Sequence, residues 1–492
     1  MSKIIFKFDY CFIIFLLILL SHFIPFERQS LAPDDYSLMN KKFNFLYNFF
    51  IYADRPMQYL FLDLKYFYLK DNELHYFILL IFVNIINCIV VYKFLLLFLS
   101  KNNSLFTTLI YILIFNKLEI YHNAIMIHII IVSTLYILST YLLLLYFSNL
   151  KKKLLYLSII LYFISIIWYE IGFFLPFLVF FIKHKNINIY KKIKFISPFV
   201  ILMFFYSFFR LSPSFGLDQL STTHSINSNY IHGIYDLLNH YLGRYMVKNF
   251  VYGIYKFFST NLFYFIILIF LNTLFIIFVF FKFKYDKIKK NNLLFFTALF
   301  VLSVLPLIIN GESGGRNLII SSISFSYLLF FIINIFSKYF KIIYLSLFLL
   351  GLVISQGNNF AQVKASSIQK DILLTLDNNI EEINKSDYLI FNVKSLMERI
   401  DYSFVNNDYN LLNTYFGAQV WEIWGIRGYM NNNKFNQNLE LVISVDNPIT
   451  NNDHYEVIKL ISYEKKRLIT KKIRLSNKNV FEIDYDRIYN YN

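Results

Sequence analysis

The sequence predicts an all-α polytopic membrane bundle of about eleven helices, followed by a small C-terminal α/β or α+β soluble domain. Three observations predict this fold class. Hydrophobic residues make up 57% of the 492 residues, charged residues make up 16%, and mean hydropathy is +0.50, which excludes an ordinary soluble protein. Apolar runs of span length recur as far as residue 356. From residue 357 these runs end, and Asn, Asp, Lys and Glu become frequent.

The first apolar run, residues 4–24, predicts an uncleaved membrane anchor with two lysines, Lys3 and Lys7, at its start. It is longer than the hydrophobic part of a typical signal peptide, and no small-residue cleavage site precedes Pro25. The other runs that predict spans lie at 76–99, 105–118, 124–147, 154–182, 193–209, 262–281, 293–309, 318–336 and 342–356. The run at 154–182 has lysine clusters at both ends, so it predicts two short helices that turn near Trp168-Tyr169-Glu170.

Lysine clusters predict the orientation of the bundle, because loops rich in Lys and Arg stay in the cytoplasm. The clusters occur at residues 151–153, 183–194, 282–290 and 338–341. With a cytoplasmic N-terminus, the long loops 25–75 and 210–261 lie on the non-cytoplasmic face. The soluble domain, residues 357–492, lies on that face as well. The sequence therefore predicts two domains, a transmembrane domain at 1–356 and a non-cytoplasmic soluble domain at 357–492.

The C-terminal domain shows a mixed pattern of strands and helices. Residues 388–393 and 439–444 are short apolar runs typical of strands, and residues 365–376 have a helical pattern. The combination predicts a small α/β or α+β unit.

Two function classes are excluded by charge and cysteine placement. The formal net charge of +16 does not predict nucleic-acid binding, because the lysines cluster in short loops where they act as topology signals. Cys11 and Cys88 both fall within apolar runs. Neither a disulfide framework nor a cysteine metal site is therefore predicted.

The first external loop carries an acidic pair, Asp34-Asp35, directly after Pro33. A carboxylate held there, near the membrane surface, is suited to act as a general base when partial burial raises its pKa. The alternative is a solvated acidic turn that caps a short helix. The same loop contains Arg55, which either binds a phosphate in a bidentate manner or forms a salt bridge with Asp54.

A second acidic candidate lies in the short turn between two predicted spans, where Glu119 precedes His122. Three-residue spacing places both side chains on one face of a helical turn, which permits an acid–base relay or a divalent metal site. Metal dependence is left open. The alternative is that the histidines of this region, including His128, are buried in a bundle.

Three further charged residues are candidates for binding a substrate. Glu170 lies at the tip of the short hairpin, and it either takes part in function or hydrogen-bonds neighbouring helices. Arg316 follows a glycine pair in a short external turn, where it is placed to bind a phosphate. Arg244 lies in the long 210–261 loop and is a candidate contact for an anionic group.

Taken together, residues 1–356 resemble the GT-C superfamily of membrane glycosyltransferases, which includes protein O-mannosyltransferases and lipid A aminoarabinose transferases. The resemblance rests on the acidic pair Asp34-Asp35, the Arg55-Pro56 pair, the external Glu119 and Tyr169-Glu170 of the short helix pair. The C-terminal domain matches no acceptor-binding module of that superfamily.

The resemblance implies an enzyme of the bacterial inner (plasma) membrane that takes a sugar from a polyprenyl-phosphate carrier at the external face. The acceptor is a glycan, a lipid or a protein of the cell envelope. Asp34 or Asp35 is the implied base, while Arg55, Arg244 or Arg316 stabilises the departing phosphate. Two alternatives remain: an O-antigen or polysaccharide polymerase or ligase, and a non-enzymatic transporter or flippase.

Overall fold

The computed structural model describes most of the chain up to residue 392 and shorter segments beyond it. The described residues are 2–22, 56–69, 73–114, 120–121, 126–182, 188–211, 230–282, 292–310, 315–336, 339–392, 414–415, 418–419, 426, 429–430, 433, 435–436, 439–444, 454–462, 467–474 and 480–484. They belong to two compact units. The first is formed mainly by His75–Asn359 together with the first helix, and the second mainly by Phe360–Asn492.

Helices make up the first unit. In chain order they are α1 (Ser2–His22), α2 (Pro56–Leu69), α3 (Glu73–Leu95), α4 (Lys101–Leu113), α5 (Ile127–Asn149), α6 (Lys152–Ile166), α7 (Ile189–Leu211), α8 (Tyr230–Tyr241), α9 (Arg244–Phe258), α10 (Leu262–Lys282), α11 (Leu293–Asn310), α12 (Ser321–Ile335) and α13 (Phe340–Asn378). Three short 3₁₀ helices occur at Glu170–Gly172, Leu175–Phe181 and Gly315–Leu318.

Four helices in the described part of the chain are long and apolar enough to cross a membrane. They cover Leu74–Leu95, Ile127–Asn149, Leu262–Val279 and Phe340–Val363. Shorter apolar helices cover Tyr10–His22, Glu170–Phe181, Leu293–Ile309 and Ser321–Ile335. This helical architecture agrees with a membrane protein built as an α-helical bundle, and the count of about eleven spans stays a prediction.

The region predicted as a short hairpin has that form. Helix α6 ends at Ile166, the chain turns through Trp168 and Tyr169, and it returns in 3₁₀ conformation as far as Phe181. The Tyr162 hydroxyl donates a hydrogen bond to the carbonyl of Phe173 (2.7 Å), which joins the two arms. The prediction of two short helical segments at 154–182 is therefore confirmed, with the second arm in 3₁₀ form.

The returning arm is fixed at its end by Lys192, in the first turn of α7. Its Nζ donates to the carbonyl of Ile182 at 2.6 Å and approaches that of Phe180 at 3.4 Å. These carbonyls have no partner within a terminating helix, so a cation is favourable there. Burial of the side chain lowers the pKa of the Lys192 ammonium below its ordinary value.

Reciprocal polar pairs join helices within the first unit. The side-chain amides of Asn272 and Gln356 exchange two hydrogen bonds of 2.9 Å, and Gln356 also donates to the carbonyl of Leu20 at 3.0 Å. Ser139 and Ser158 each donate to the other's carbonyl at 2.8 Å. In an apolar environment such pairs specify which helices are neighbours, because an unpaired amide or hydroxyl is costly.

Helices α9 and α13 cross at two glycines with no room for a side chain. A Cβ built on Gly357 would lie 1.7 Å from the carbonyl oxygen of Gly253, and one built on Gly253 would lie 2.7 Å from the carbonyl oxygen of Ile354. Small residues allow backbones to approach in this way. Next to the crossing, the Asn358 amide donates to the carbonyl of Asn249 at 3.0 Å.

The second unit contains the part of α13 from Phe360 onward, helix α14 (Ile380–Lys385) and the strands β1 (Tyr388–Asn392), β2 (Thr414–Tyr415), β3 (Ala418–Gln419), β4 (Glu440–Ser444), β5 (His454–Ser462), β6 (Arg467–Arg474) and β7 (Val480–Asp484). Five strands form one mixed sheet in the order β6-β5-β4-β1-β7. Strand β1 is parallel to both β4 and β7, whereas β5 is antiparallel to β4 and β6. The strands predicted at 388–393 and 439–444 are β1 and β4.

Candidate functional site

The sequence-predicted site residues fall into three groups. Five of them lie outside the described residues, namely Asp34, Asp35, Arg55, Glu119 and His122. For two more the structure gives the backbone alone: Arg244 is the first residue of α9, and Arg316 lies in the 3₁₀ helix Gly315–Leu318. Glu170 is fully described. It begins the 3₁₀ turn at the hairpin tip, and its side chain is half-buried.

A ring stack joins the end of α1 to Tyr121. The imidazole of His22 lies against the ring of Tyr121, with centroids 3.8 Å apart and planes inclined by 14°. Both residues are buried. His22 is the last described residue before the loop of Asp34 and Asp35, while Tyr121 lies in the sequence between Glu119 and His122.

The His22 ring is also held by the backbone. Its Nε2 lies 3.2 Å from the carbonyl oxygen of Ile112, at the end of α4. A carbonyl oxygen only accepts, so Nε2 carries the proton and donates it. Sequence reasoning missed His22. The available signal was an ionisable residue at the end of an apolar run, which is a position where function is common.

The tip of the hairpin packs against α2 and the start of α5. Trp168 contacts Phe61 of α2, with centroids 5.3 Å apart, and Tyr169 meets the edge of His128 at 6.1 Å. Helix α2 begins directly after Arg55, and His128 lies in the first turn of α5. Glu170 therefore follows two aromatic residues that contact the segments next to Arg55 and next to His122.

Hydrogen bonds connect the end of α8, near Arg244, with the 3₁₀ helix that contains Arg316. The Tyr241 hydroxyl lies 2.6 Å from the Ser321 hydroxyl, which donates to the Leu318 carbonyl at 3.0 Å. Tyr241 closes α8 shortly before Arg244, and Leu318 ends the 3₁₀ helix of Arg316. The backbone of both arginines is thus tied to one hydrogen-bonded junction.

An apolar cavity of about 310 Å³ lies beside this junction. Its walls come from helices α4, α8, α9, α12 and α13, and they include Ile114, Phe250, Leu329 and Gly351. The polar groups in the lining belong to His240, Tyr241 and Tyr344. The hydroxyls of both tyrosines are within hydrogen-bonding distance of other groups, so the cavity presents an apolar wall to an occupant.

Among the described residues, no group of three or more His, Cys, Asp and Glu side chains is placed to hold a metal ion. A metal at the sequence-predicted acids stays open, because Asp34, Asp35, Glu119 and His122 are outside the described part of the chain.

No protein-family model, no curated protein and no solved structure matches the chain.

Proposed function

We propose that this protein is a membrane-embedded glycosyltransferase that uses a polyprenyl-phosphate-linked sugar. It transfers the sugar to a glycan, lipid or protein of the cell envelope at the external face of the inner membrane. In this proposal the C-terminal domain is non-cytoplasmic. The donor already carries an activated sugar, so the reaction needs no nucleotide-binding loop.

The observation that carries the proposal is the contact of His22 with Tyr121. It joins the segment that leads to Asp34 and Asp35 with the segment that contains Glu119 and His122. The contact of Phe61 with Trp168 adds the start of α2 and the hairpin tip with Glu170. These contacts join segments that lie next to predicted acids in the sequence, and the proposal assigns the acid–base chemistry to those acids.

The apolar cavity supports a lipid-linked donor in particular. The cavity has a volume of about 310 Å³. A methylene-sized group occupies about 30 Å³, so the cavity holds about ten such groups. This matches part of an isoprenoid chain. The cavity lies beside the junction that anchors Arg244 and Arg316, so a chain within it would place its phosphate near those two positions.

The proposed reaction is a single displacement with inversion. The acceptor hydroxyl oxygen attacks the anomeric carbon, and Asp34 or Asp35 takes the proton from that hydroxyl. The bond between the anomeric carbon and the phosphate oxygen breaks, and its electron pair leaves with the polyprenyl phosphate. Arg55, Arg244 or Arg316 stabilises the negative charge of the departing phosphate.

The proposal is tested by comparing cells that have the gene with cells that lack it. Envelope glycans and extracted lipid-linked sugars are analysed by mass spectrometry. We expect the deletion to remove one glycan modification and to accumulate one polyprenyl-linked monosaccharide. Accumulation of a lipid-linked oligosaccharide instead would indicate a polymerase or ligase, and an unchanged lipid pool with unchanged glycans would contradict the proposal.

A further inference from the structure

Two buried polar atoms at the hairpin tip have no hydrogen-bond partner among the described residues. They are the side-chain oxygen Oε1 of Gln58, in α2, and the indole nitrogen Nε1 of Trp168. Trp168 is only 7% exposed. A buried polar atom without a partner is destabilising, so each of these two atoms needs a physical reason.

The two residues belong to surfaces that are in contact. The Phe61 ring packs on Trp168 at 5.3 Å. Gln58 precedes Phe61 by one turn of α2, and residues at that spacing share a helix face. Gln58 therefore lies on the face of α2 that meets Trp168.

The chemistry of the two atoms is complementary. An indole N–H only donates, and an amide oxygen only accepts. A phosphate or carboxylate would satisfy Trp168 and leave its negative charge against the oxygen of Gln58. A hydroxyl group satisfies both, because it accepts from Trp168 and donates to Gln58 at the same time. The neighbouring ring of Phe61 offers an apolar surface to the C–H groups of a sugar.

We infer that Gln58 and Trp168 form a subsite that binds a hydroxyl group of the donor's sugar. The inference rests on the proposed function. It separates recognition of the sugar, at the hairpin tip, from recognition of the phosphate and the lipid, at the junction of Tyr241 with Ser321 and the adjacent cavity.

The test uses the full-length protein in lipid nanodiscs. The probes are polyprenyl phosphate and its mannosyl, glucosyl and arabinosyl forms, and binding is measured as ligand-induced thermal stabilisation. Trp168 has its own signal when Trp421 and Trp424, the other two tryptophans of the chain, are replaced by Phe. We expect at least one sugar-bearing lipid to stabilise the protein more than polyprenyl phosphate does and to change Trp168 fluorescence.

Two variants remove the polar atoms and keep most of the volume, namely Gln58→Leu and Trp168→Phe. Each should lower the affinity for the preferred sugar-bearing lipid about tenfold, the effect of a hydrogen bond worth about 1.4 kcal/mol. Affinity for polyprenyl phosphate should change less than about twofold, and Met57→Leu, the matched control on α2, should affect neither. Without ligand, Gln58→Leu should melt at or above the wild-type temperature, because it loses no protein hydrogen bond, whereas Trp168→Phe should melt somewhat lower, because it loses part of a buried ring.

Three outcomes would overturn the inference. If sugar-bearing and sugar-free lipids bind equally well, the protein has no sugar subsite. Wild-type affinity of both variants for the sugar-bearing lipid would show that Gln58 and Trp168 do not form one. A clearly lower melting temperature of ligand-free Gln58→Leu would assign the Gln58 oxygen to a structural contact. If neither the sugar-bearing nor the sugar-free lipids bind the wild-type protein, the proposed function itself fails, and that result differs from the other three.

Discussion

The ring of His22, the last residue of α1, stacks on Tyr121 with centroids 3.8 Å apart. The contact fixes the end of the first helix against the turn that follows α4. Its Nε2 donates to the Ile112 carbonyl in the same region, so the imidazole is held by a ring on one side and by the backbone on another. Both rings are buried.

Substituting His22 separates the two contributions of this contact. His22→Phe keeps the stack and loses the hydrogen bond, whereas His22→Ala loses both, for a cost of about 2 kcal/mol in total. We expect the melting temperature to fall in the order wild type, Phe, Ala, and we expect transfer activity to follow it. Equal melting temperatures of all three proteins would show that the stack stabilises nothing.

The glycine crossing of α9 and α13 predicts a large difference between two similar substitutions. In Gly357→Ala the new Cβ meets the Gly253 backbone at 1.7 Å, so the helices must separate, at a cost of at least about 2 kcal/mol. In Gly351→Ala the closest atom is the Leu113 side chain at 3.0 Å, and the cost should stay within about 1 kcal/mol. Thermal unfolding in detergent measures both. Similar melting temperatures would contradict the close approach.

The cavity is tested by adjacent leucines of α12. Leu329 lines it and Leu328 does not, although both are half-buried. Leu329→Trp should fill the space and lower the affinity for polyprenyl phosphate about tenfold, whereas Leu328→Trp should change it less than about twofold. Binding is measured in nanodiscs. Equal effects of the two variants would mean that the lipid chain lies elsewhere.

The pKa of Lys192 predicts a pH dependence of stability. Burial in the folded state lowers this pKa below its ordinary value of 10.5, so between the folded and unfolded pKa values the unfolded chain binds more protons than the folded one. Stability conferred at this site therefore rises with pH up to about 10.5. The slope of melting temperature against alkaline pH should be smaller in Lys192→Met than in the wild type. Lys191→Met, at an exposed neighbour, should keep the wild-type slope, and a wild-type slope in Lys192→Met would refute the shift.

Local patterns in the sequence were sufficient for the helical class, for the hairpin at 154–182 and for strands β1 and β4. The polar first turn of α4 lies ahead of the apolar run at 105–118, so hydropathy does not mark it. The helix begins at Lys101, where the Ser100 side chain accepts from the backbone N–H of Asn103.

Contacts between distant parts of the chain could not be predicted from one sequence. The pairing of Asn272 with Gln356 and the crossing at Gly253 and Gly357 depend on which helices become neighbours, and local periodicity carries no information about that. The same holds for His22 with Tyr121. The predicted site residues were chosen for charge and loop position, whereas these contacts are made by aromatic, amide and glycine residues of the bundle.

The most direct test of the proposed chemistry measures sugar transfer by the Asp34→Asn and Asp35→Asn variants in cells that lack the native gene. Each substitution keeps the size of the side chain and removes its capacity to take a proton. The account predicts that at least one variant reaches wild-type levels in the membrane, fails to restore the envelope glycan and accumulates the polyprenyl-linked sugar. Wild-type amounts of glycan in both variants would contradict it.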